Sequence, residues 1–335
     1  MRLPSAILLS SIILASCLED YPAAPSSPFE KPALAFVESL IVPATGLVAS
    51  RPGECFTTVY KNALAAMSFL HEGNHAAATR ILDHFAAFLD NQTTAFWGFP
   101  QDWDPCTGLP LNDNRWEGDN AFLLLALNYY SLTSSQPDRY FNLTLELVNW
   151  LSFRGLKCGE IVAEGTANMY AALLPHASNP SVSQSLELLE ECSSNDLVFY
   201  LVLDHTVRGA LVFGRYSGFD QLANFKITEN WSVTGEPIVA YKAFANDTLA
   251  NVEISAQLLL AAKLTGQSHQ VPGLRQELEK LWIRTNSGRA AGLPYFLQNT
   301  GFPQAAELGI VDPTIYMLFY YWNFNPFQPK VRYAP

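Results

Sequence analysis

The chain has 335 residues, of which 49% are hydrophobic and 15% charged, enough apolar content to bury one substantial core in a single domain. Its formal net charge is −11 and its basic residues are scattered, which argues against nucleic acid or an anionic lipid surface as a partner and favours neutral or basic ligands. Walker-type, GxGxxG and GxSxG motifs are absent, so nucleotide binding and serine hydrolysis lack their usual signatures.

The N-terminal stretch MRLPSAILLSSIILASC combines one basic residue with an apolar run of signal-peptide length, too short for a stable membrane span. Its end, Leu14-Ala15-Ser16-Cys17, resembles the lipobox of a bacterial lipoprotein. That resemblance implies export, lipidation at Cys17 and anchoring to a bacterial membrane on its periplasmic or cell-surface side; an ordinary cleaved signal with an incidental cysteine is the alternative. Residues 1–16 are then a signal peptide, and residues 17–32, with four prolines between Pro22 and Pro32, a lipidated tether. Residues 33–335 form the folded domain.

Helices too apolar for a surface are expected to start near Thr57, Gly118, Glu164, Leu197, Asp247 and Asp312, each with polar residues at its opening. Segments from Asn74, Pro137 and Val271 instead carry apolar residues at three- and four-residue spacing, as helices with one wet face do. The repeating unit is a helical hairpin, buried helix first, recurring every forty to sixty residues or so. Between the hairpins lie long loops rich in aromatic residues, Phe96 to Trp116, Phe213 to Pro237 and Gly292 to Pro303. Loops of such length are usually functional or disordered, and their aromatic content argues against disorder.

The string His71-Glu72-Gly73-Asn74-His75 matches HExxH, yet Gly73-Asn74 reads as a stop and restart between two helices. A zinc site there needs a continuous helix, so no metal is expected. His205 beside Asp204 is read as a core histidine before a catalytic pair. Cys55, Cys106, Cys158 and Cys192 allow three disulfide pairings, or four buried thiols, and contain no CxxC spacing. The sequons at Asn91, Asn142, Asn230 and Asn246 are treated as incidental beside a bacterial-type lipobox.

The order of buried helix, turn, amphipathic helix and aromatic loop resembles the six-hairpin glycosidase superfamily over residues 30 to 327 or so. The local matches are Thr57 to Phe85, Trp116 to Tyr130, Ala163 to Tyr170 and Leu293 to Phe327. The resemblance implies an all-α fold, an (α/α)6 toroid or barrel of helical hairpins with long aromatic loops. It places the active site in the funnel at the N-terminal ends of the inner helices, and it implies no cofactor. No signature of any one glycosidase family is matched.

Glycoside cleavage needs a carboxyl group to protonate the leaving oxygen and a second to act as base or nucleophile, about five to ten ångströms away. Glu164, Glu253, Glu117, Asp119 and Asp104 are the catalytic candidates, the two glutamates within apolar helices leading because a buried carboxylate needs a partner or a purpose. Asp119 is equally readable as a first-turn residue favoured by the helix dipole. Trp97, Asp102, Trp103, Arg115, Trp116, Asn120, Asn168, Trp231 and Asn251 are candidates for substrate binding, since sugars stack on aromatic faces. Each tryptophan taken singly is also readable as a loop anchor. The expected function is a surface-anchored, monomeric glycoside hydrolase acting on an oligo- or polysaccharide. The alternative is a non-catalytic lipoprotein binding a glycan or a protein on the same toroid.

Overall fold

The computed structural model describes residues 27–157, 163–194, 203–214, 217–285, 288–299 and 308–328. The signal segment and residues 17–26, with Cys17, lie outside them, as does Leu197, while the last residues expected for the tether, 27–32, are described and run into the first helix. Eleven α-helices run through the described residues: α1 (Glu30–Ser39), α2 (Val59–His71), α3 (His75–Asp90), α4 (Glu117–Thr133), α5 (Phe141–Gly155), α6 (Ala163–Leu173), α7 (Pro180–Ser194), α8 (Leu203–Phe213), α9 (Val252–Leu264), α10 (Leu274–Glu279) and α11 (Val311–Trp322).

Six of them close a ring. α2 packs on α4, α4 on α6, α6 on α8, α8 on α9, α9 on α11, and α11 returns to α2. These are the apolar segments of the sequence, and burial explains their composition: every residue from Asp119 to Tyr130 of α4 and from Val252 to Ala262 of α9 is buried. A helix walled in on all sides cannot spare a polar face. The outer layer is amphipathic. α3 buries Ala77, Ala78, Ile81, Leu82 and Phe85 and leaves its charges to water. α3, α5, α7 and α10 pack against α2, α4, α6 and α9, and the N-terminal α1 covers α11, so the last hairpin is completed by the start of the domain. Behind α8 the chain runs as a 3₁₀ segment, Ser217–Asn224.

Two boundaries differ from expectation, and a third, near Leu197, falls outside the described residues. The inner helix expected near Asp247 begins at Val252, because Asn251 accepts a hydrogen bond from the Ile254 amide as its N-cap, while Asp247 closes a turn by accepting from the Phe244 amide. The helix after Val271 stops at Glu279, and Ile283–Arg284 becomes a strand, β6, paired with β7 (Ala291–Gly292). The inner helix expected near Leu197 is described from Leu203. The HExxH string divides as its Gly-Asn pair implies: α2 ends at His71, Gly73 takes φ +76°, and Asn74 caps α3 through the Ala77 amide.

The first aromatic loop is built into the wall. β1 (Thr57–Thr58), β2 (Asp102–Asp104) and β3 (Leu109–Pro110) form an antiparallel sheet that sets Thr57 opposite Trp103 and Thr58 opposite Asp102, directly before α2. Asn120 grips the same loop by accepting from the Phe99 amide at 2.8 Å and donating to the Phe99 carbonyl at 3.0 Å. At Gly98, φ is +85° and an added Cβ would stand 2.7 Å from the Trp150 ring, so the loop passes too close to α5 for any side chain. A disulfide between Cys55 and Cys106 staples this loop to the segment entering α2, and Cys192 is disulfide-bonded as well. A second hairpin, β4 (Lys226–Asn230) with β5 (Pro237–Tyr241), leads into α9. Among the described residues no helix is long and apolar enough to cross a membrane.

Candidate functional site

The inner helices all point their N-termini to the same end of the ring, and five of them present a charged side chain there. Lys61, Asp119, Asp204, Glu253 and Asp312 each lie in the first turn of α2, α4, α8, α9 and α11 and line one cavity of about 880 Å³. Helix N-termini carry partial positive charge, so acidic side chains are electrostatically favoured where the helices converge. Around the mouth stand Phe56, Trp116, Phe244, Tyr295 and Phe296, with Arg51, Glu54 and Asp102.

Glu253 is the most constrained of the acids. Its Oε1 accepts from the Tyr60 hydroxyl at 2.8 Å and from Gln257 Nε2 at 3.0 Å, and Tyr60 in turn shares a 2.7 Å hydrogen bond with Tyr316. The Tyr295 phenol is hydrogen-bonded to both Glu253 and Asn251. Burial pushes the Glu253 carboxyl up to about 8, with the nearby Asp312 charge adding to the effect and Lys61 and the Tyr60 hydrogen bond opposing it. At neutral pH Glu253 therefore carries a proton. Tyr60, Tyr295 and Tyr316 are pushed upward too, chiefly by burial, and remain neutral phenols.

The other acids near the floor are held by cations. Lys61 Nζ lies 3.0 Å from Asp312 Oδ1. Arg208 donates from Nε to Asp204 Oδ2 at 2.7 Å and from a terminal nitrogen to Asn168 Oδ1 at 2.8 Å, and its guanidinium sits 5.4 Å from the Phe122 ring centre. Asp204 Oδ1 and Asn168 Nδ2 are buried without a hydrogen-bond partner among the described residues. A buried carboxylate oxygen with no donor costs free energy unless something else satisfies it.

The structure divides the sequence candidates. Glu253, Asp119, Asn251, Asp102 and Trp116 line the cavity together. Glu253 on α9 and Asp119 on α4 are three places apart in the six-helix ring, hence on opposite walls. Glu164 opens α6 at the same end, but its side chain lies outside what is described. Seven others lie outside the cavity lining. Glu117 points away from the cavity and pairs with Arg154 of α5, whose Nε donates at 2.6 Å. Asp104 folds over its own turn, accepting from the Cys106 and Thr107 amides. Trp103 is wholly buried between Phe85 and Phe88 and donates to the Pro100 carbonyl. Trp231 is buried in the core. Arg115 braces the loop through the Gly98 and Asp113 carbonyls, Asn120 holds Phe99, and Asn168 orients Arg208. Trp97 stands in solvent, 60% exposed, outside the cavity lining.

Tyr60, Lys61, Asp204, Arg208, Tyr295, Asp312 and Tyr316 belong to the site and were not among the candidates. Asp204 and Asp312 had the same sequence signal as Glu253, an acid in the first turn of an apolar helix. Arg208 was visible as an arginine one turn after Asp204, a spacing that makes an ion pair on a helix. As to metals, Cys55, Asp104 and Cys106 are the one close grouping of ligand-type side chains among the described residues, and both sulfurs are committed to the disulfide.

No protein-family model matches the chain, and comparison with curated proteins finds no relative. Among solved structures it is similar to a wild-type glycosidase (12% identity, TM-score 0.59, covering 88% of this chain and 94% of the other). It is also similar to a sugar epimerase from a ruminal bacterium (10% identity, TM-score 0.60, 87% and 96%) and a novel alpha-amylase from Clostridium perfringens (9% identity, TM-score 0.60, 88% and 97%). At these identities the likeness establishes the fold alone, a helical toroid, as the sequence resemblance implied.

Proposed function

We propose that this protein is a glycan-processing enzyme that hydrolyses a glycosidic bond, with Glu253 as general acid and Asp119 as base or nucleophile. The observation that carries this reading is the pairing across the cavity: a carboxyl group kept protonated by burial on one wall and a second carboxyl group on the wall opposite. Glu253 gives its carboxyl proton to the glycosidic oxygen as the bond to the anomeric carbon breaks. Asp119 either removes a proton from the water that attacks that carbon or attacks it directly. The Tyr60 and Gln257 donors on Oε1 stabilise the carboxylate left behind.

Trp116, Phe244 and Phe296 at the mouth offer apolar faces against which sugar rings stack. Asn251 and Tyr295 supply polar groups beside Glu253. The solved glycosidase, epimerase and amylase support a saccharide as the substrate class. Export and anchoring through Cys17 are part of the proposal, supported by the lipobox-like sequence and by disulfides, which persist in oxidising compartments. Incubating the purified protein with a panel of neutral, acidic and amino-sugar glycans and following reducing-end release tests the reading. Release that disappears in the Asp119→Asn variant supports it; saturable glycan binding with no release from any member assigns the cavity to binding alone.

A further inference from the structure

Four asparagines begin the pattern Asn-x-Ser/Thr with no proline between: Asn91-Gln92-Thr93, Asn142-Leu143-Thr144, Asn230-Trp231-Ser232 and Asn246-Asp247-Thr248. As sequence alone the pattern is short enough to be incidental. The fold adds a second observation: all four asparagines are exposed. Asn62, Asn120, Asn128, Asn168 and Asn251 are buried, and none of these begins the pattern. A pattern scattered at random over the asparagines would fall on the inner helices as well as on the surface.

Each of the four stands where a branched sugar can leave the surface without displacing a wall of the ring. Asn91 is the C-cap of α3, Asn142 lies in the first turn of α5, Asn230 ends β4, and Asn246 sits in the turn that Asp247 closes before α9. None of them lines the cavity. Asn91 Nδ2 donates to the Ala87 carbonyl at 2.7 Å, a bond that substitution spares, because a glycosylated amide nitrogen keeps one of its two N–H groups. Asn142 has apolar surface around it: Phe141 is 61% exposed, and Leu145, one turn on along the same face, 42%. A bulky, solubilising substituent on Asn142 shields that surface. The Cys55–Cys106 disulfide places the folded chain in an oxidising compartment, where such substituents are carried.

We propose that Asn91, Asn142, Asn230 and Asn246 are N-glycosylation sites, filled as the chain enters the compartment in which its disulfides form. At each, the side-chain Nδ2 attacks the anomeric carbon of an oligosaccharide carried on a polyprenyl diphosphate. The C–N bond forms, the C–O bond to phosphate breaks, the diphosphate departs with the bonding pair, and the amide gives up one proton. Transfer precedes folding, so Asn142 and Thr144 meet the transferase as extended chain before α5 forms. The inference needs only export, which the signal-like N-terminus supplies whether or not Cys17 is lipidated, and it is independent of the chemistry proposed for the cavity.

The full chain, purified from its own source cells, is treated in heavy-oxygen water with an amidase that removes N-linked glycans, which turns each glycosylated asparagine into an aspartate carrying one heavy oxygen, and its peptides are read by mass spectrometry. Labelled aspartate at two or more of the four positions is the expected result; unmodified asparagine at three or all four overturns the inference. In a second arm the full chain is secreted from a eukaryotic cell line, and wild type is expected to lose mass on glycan removal. Thr93→Ala, Thr144→Ala, Ser232→Ala and Thr248→Ala remove the hydroxyl that the pattern requires and leave the asparagine in place, so each variant at an occupied site is expected to lack one glycan. No loss of mass from wild type overturns the inference, as does glycosylation in the cell line with none in the source cells. A lipid on Cys17, read in the same spectra, decides the anchor separately, and reducing-end release decides the hydrolase reading.

Discussion

Replacing Glu253 by Gln tests the electrostatics at the centre of the site through stability alone, with no substrate required. In the fold the carboxyl group is buried beside Asp312 and titrates at about 8, against an ordinary value of 4.5 in the unfolded chain. Between those values the native state holds a proton that the unfolded chain has released, so stability falls as pH rises. The contribution of the protonated acid is fully present below about 4.5 and is lost as pH climbs through about 8. A gap of that size corresponds to at most about 5 kcal/mol at about 1.4 kcal/mol per pH unit, less whatever Lys61 and relaxation of the site screen away. Glutamine keeps an acceptor for Tyr60 and never ionises. Urea unfolding of wild type and Glu253→Gln at pH values of about 5, 6.5 and 8.5 cancels the other titrating groups, which the two proteins share. The stability of the variant relative to wild type should rise by at least about 2 kcal/mol across that range. Parallel curves would show that Glu253 ionises normally in the fold, and the assignment of the general acid would fall with them.

The Cys55–Cys106 disulfide spans 51 residues, for which the loop-entropy model gives about 4 kcal/mol, so the double Cys→Ser variant should unfold at markedly lower denaturant, with the loop before α4 gaining hydrogen exchange first. Asp204→Ala leaves the Arg208 guanidinium buried with one carboxylate fewer, a loss of about 3–5 kcal/mol visible in the thermal midpoint. Trp116, 48% exposed at the mouth, should tolerate alanine with little change in stability while glycan affinity falls by roughly tenfold, measured by calorimetry.

The ring was legible because burial writes itself into composition. Segments such as those at Asp119 and Glu253 admit almost no charge beyond the first turn, and that pattern marked both the inner helices and the end where their acids collect. Glu253, Asp119, Asn251, Asp102 and Trp116 were found this way. Glu117 and Asp104 carry the same local pattern as acids that line the cavity, an acid close to tryptophan near a helix start. What separates them is three-dimensional: Arg154 comes from the next helix and turns Glu117 outward, and the Cys106 turn folds Asp104 onto its own backbone. Trp103 was misplaced because a strand alternates its faces, and its pairing with Thr57 and Pro110 sends the indole into the core while Asp102 beside it reaches the cavity. Tyr60, Tyr295 and Tyr316 could not be joined to Glu253 by spacing, since they come from α2, the segment before α11, and α11 itself.

The measurement that tests the central claim most directly is a leaving-group comparison on Glu253→Gln. A general acid matters when the departing oxygen needs a proton and matters little when it leaves readily as a stabilised phenolate. The variant should cleave the natural glycan about 10²- to 10⁴-fold more slowly than wild type, yet release dinitrophenol from the matching activated glycoside at close to the wild-type rate. Equal losses on both substrates would contradict the assignment of Glu253 as the proton donor.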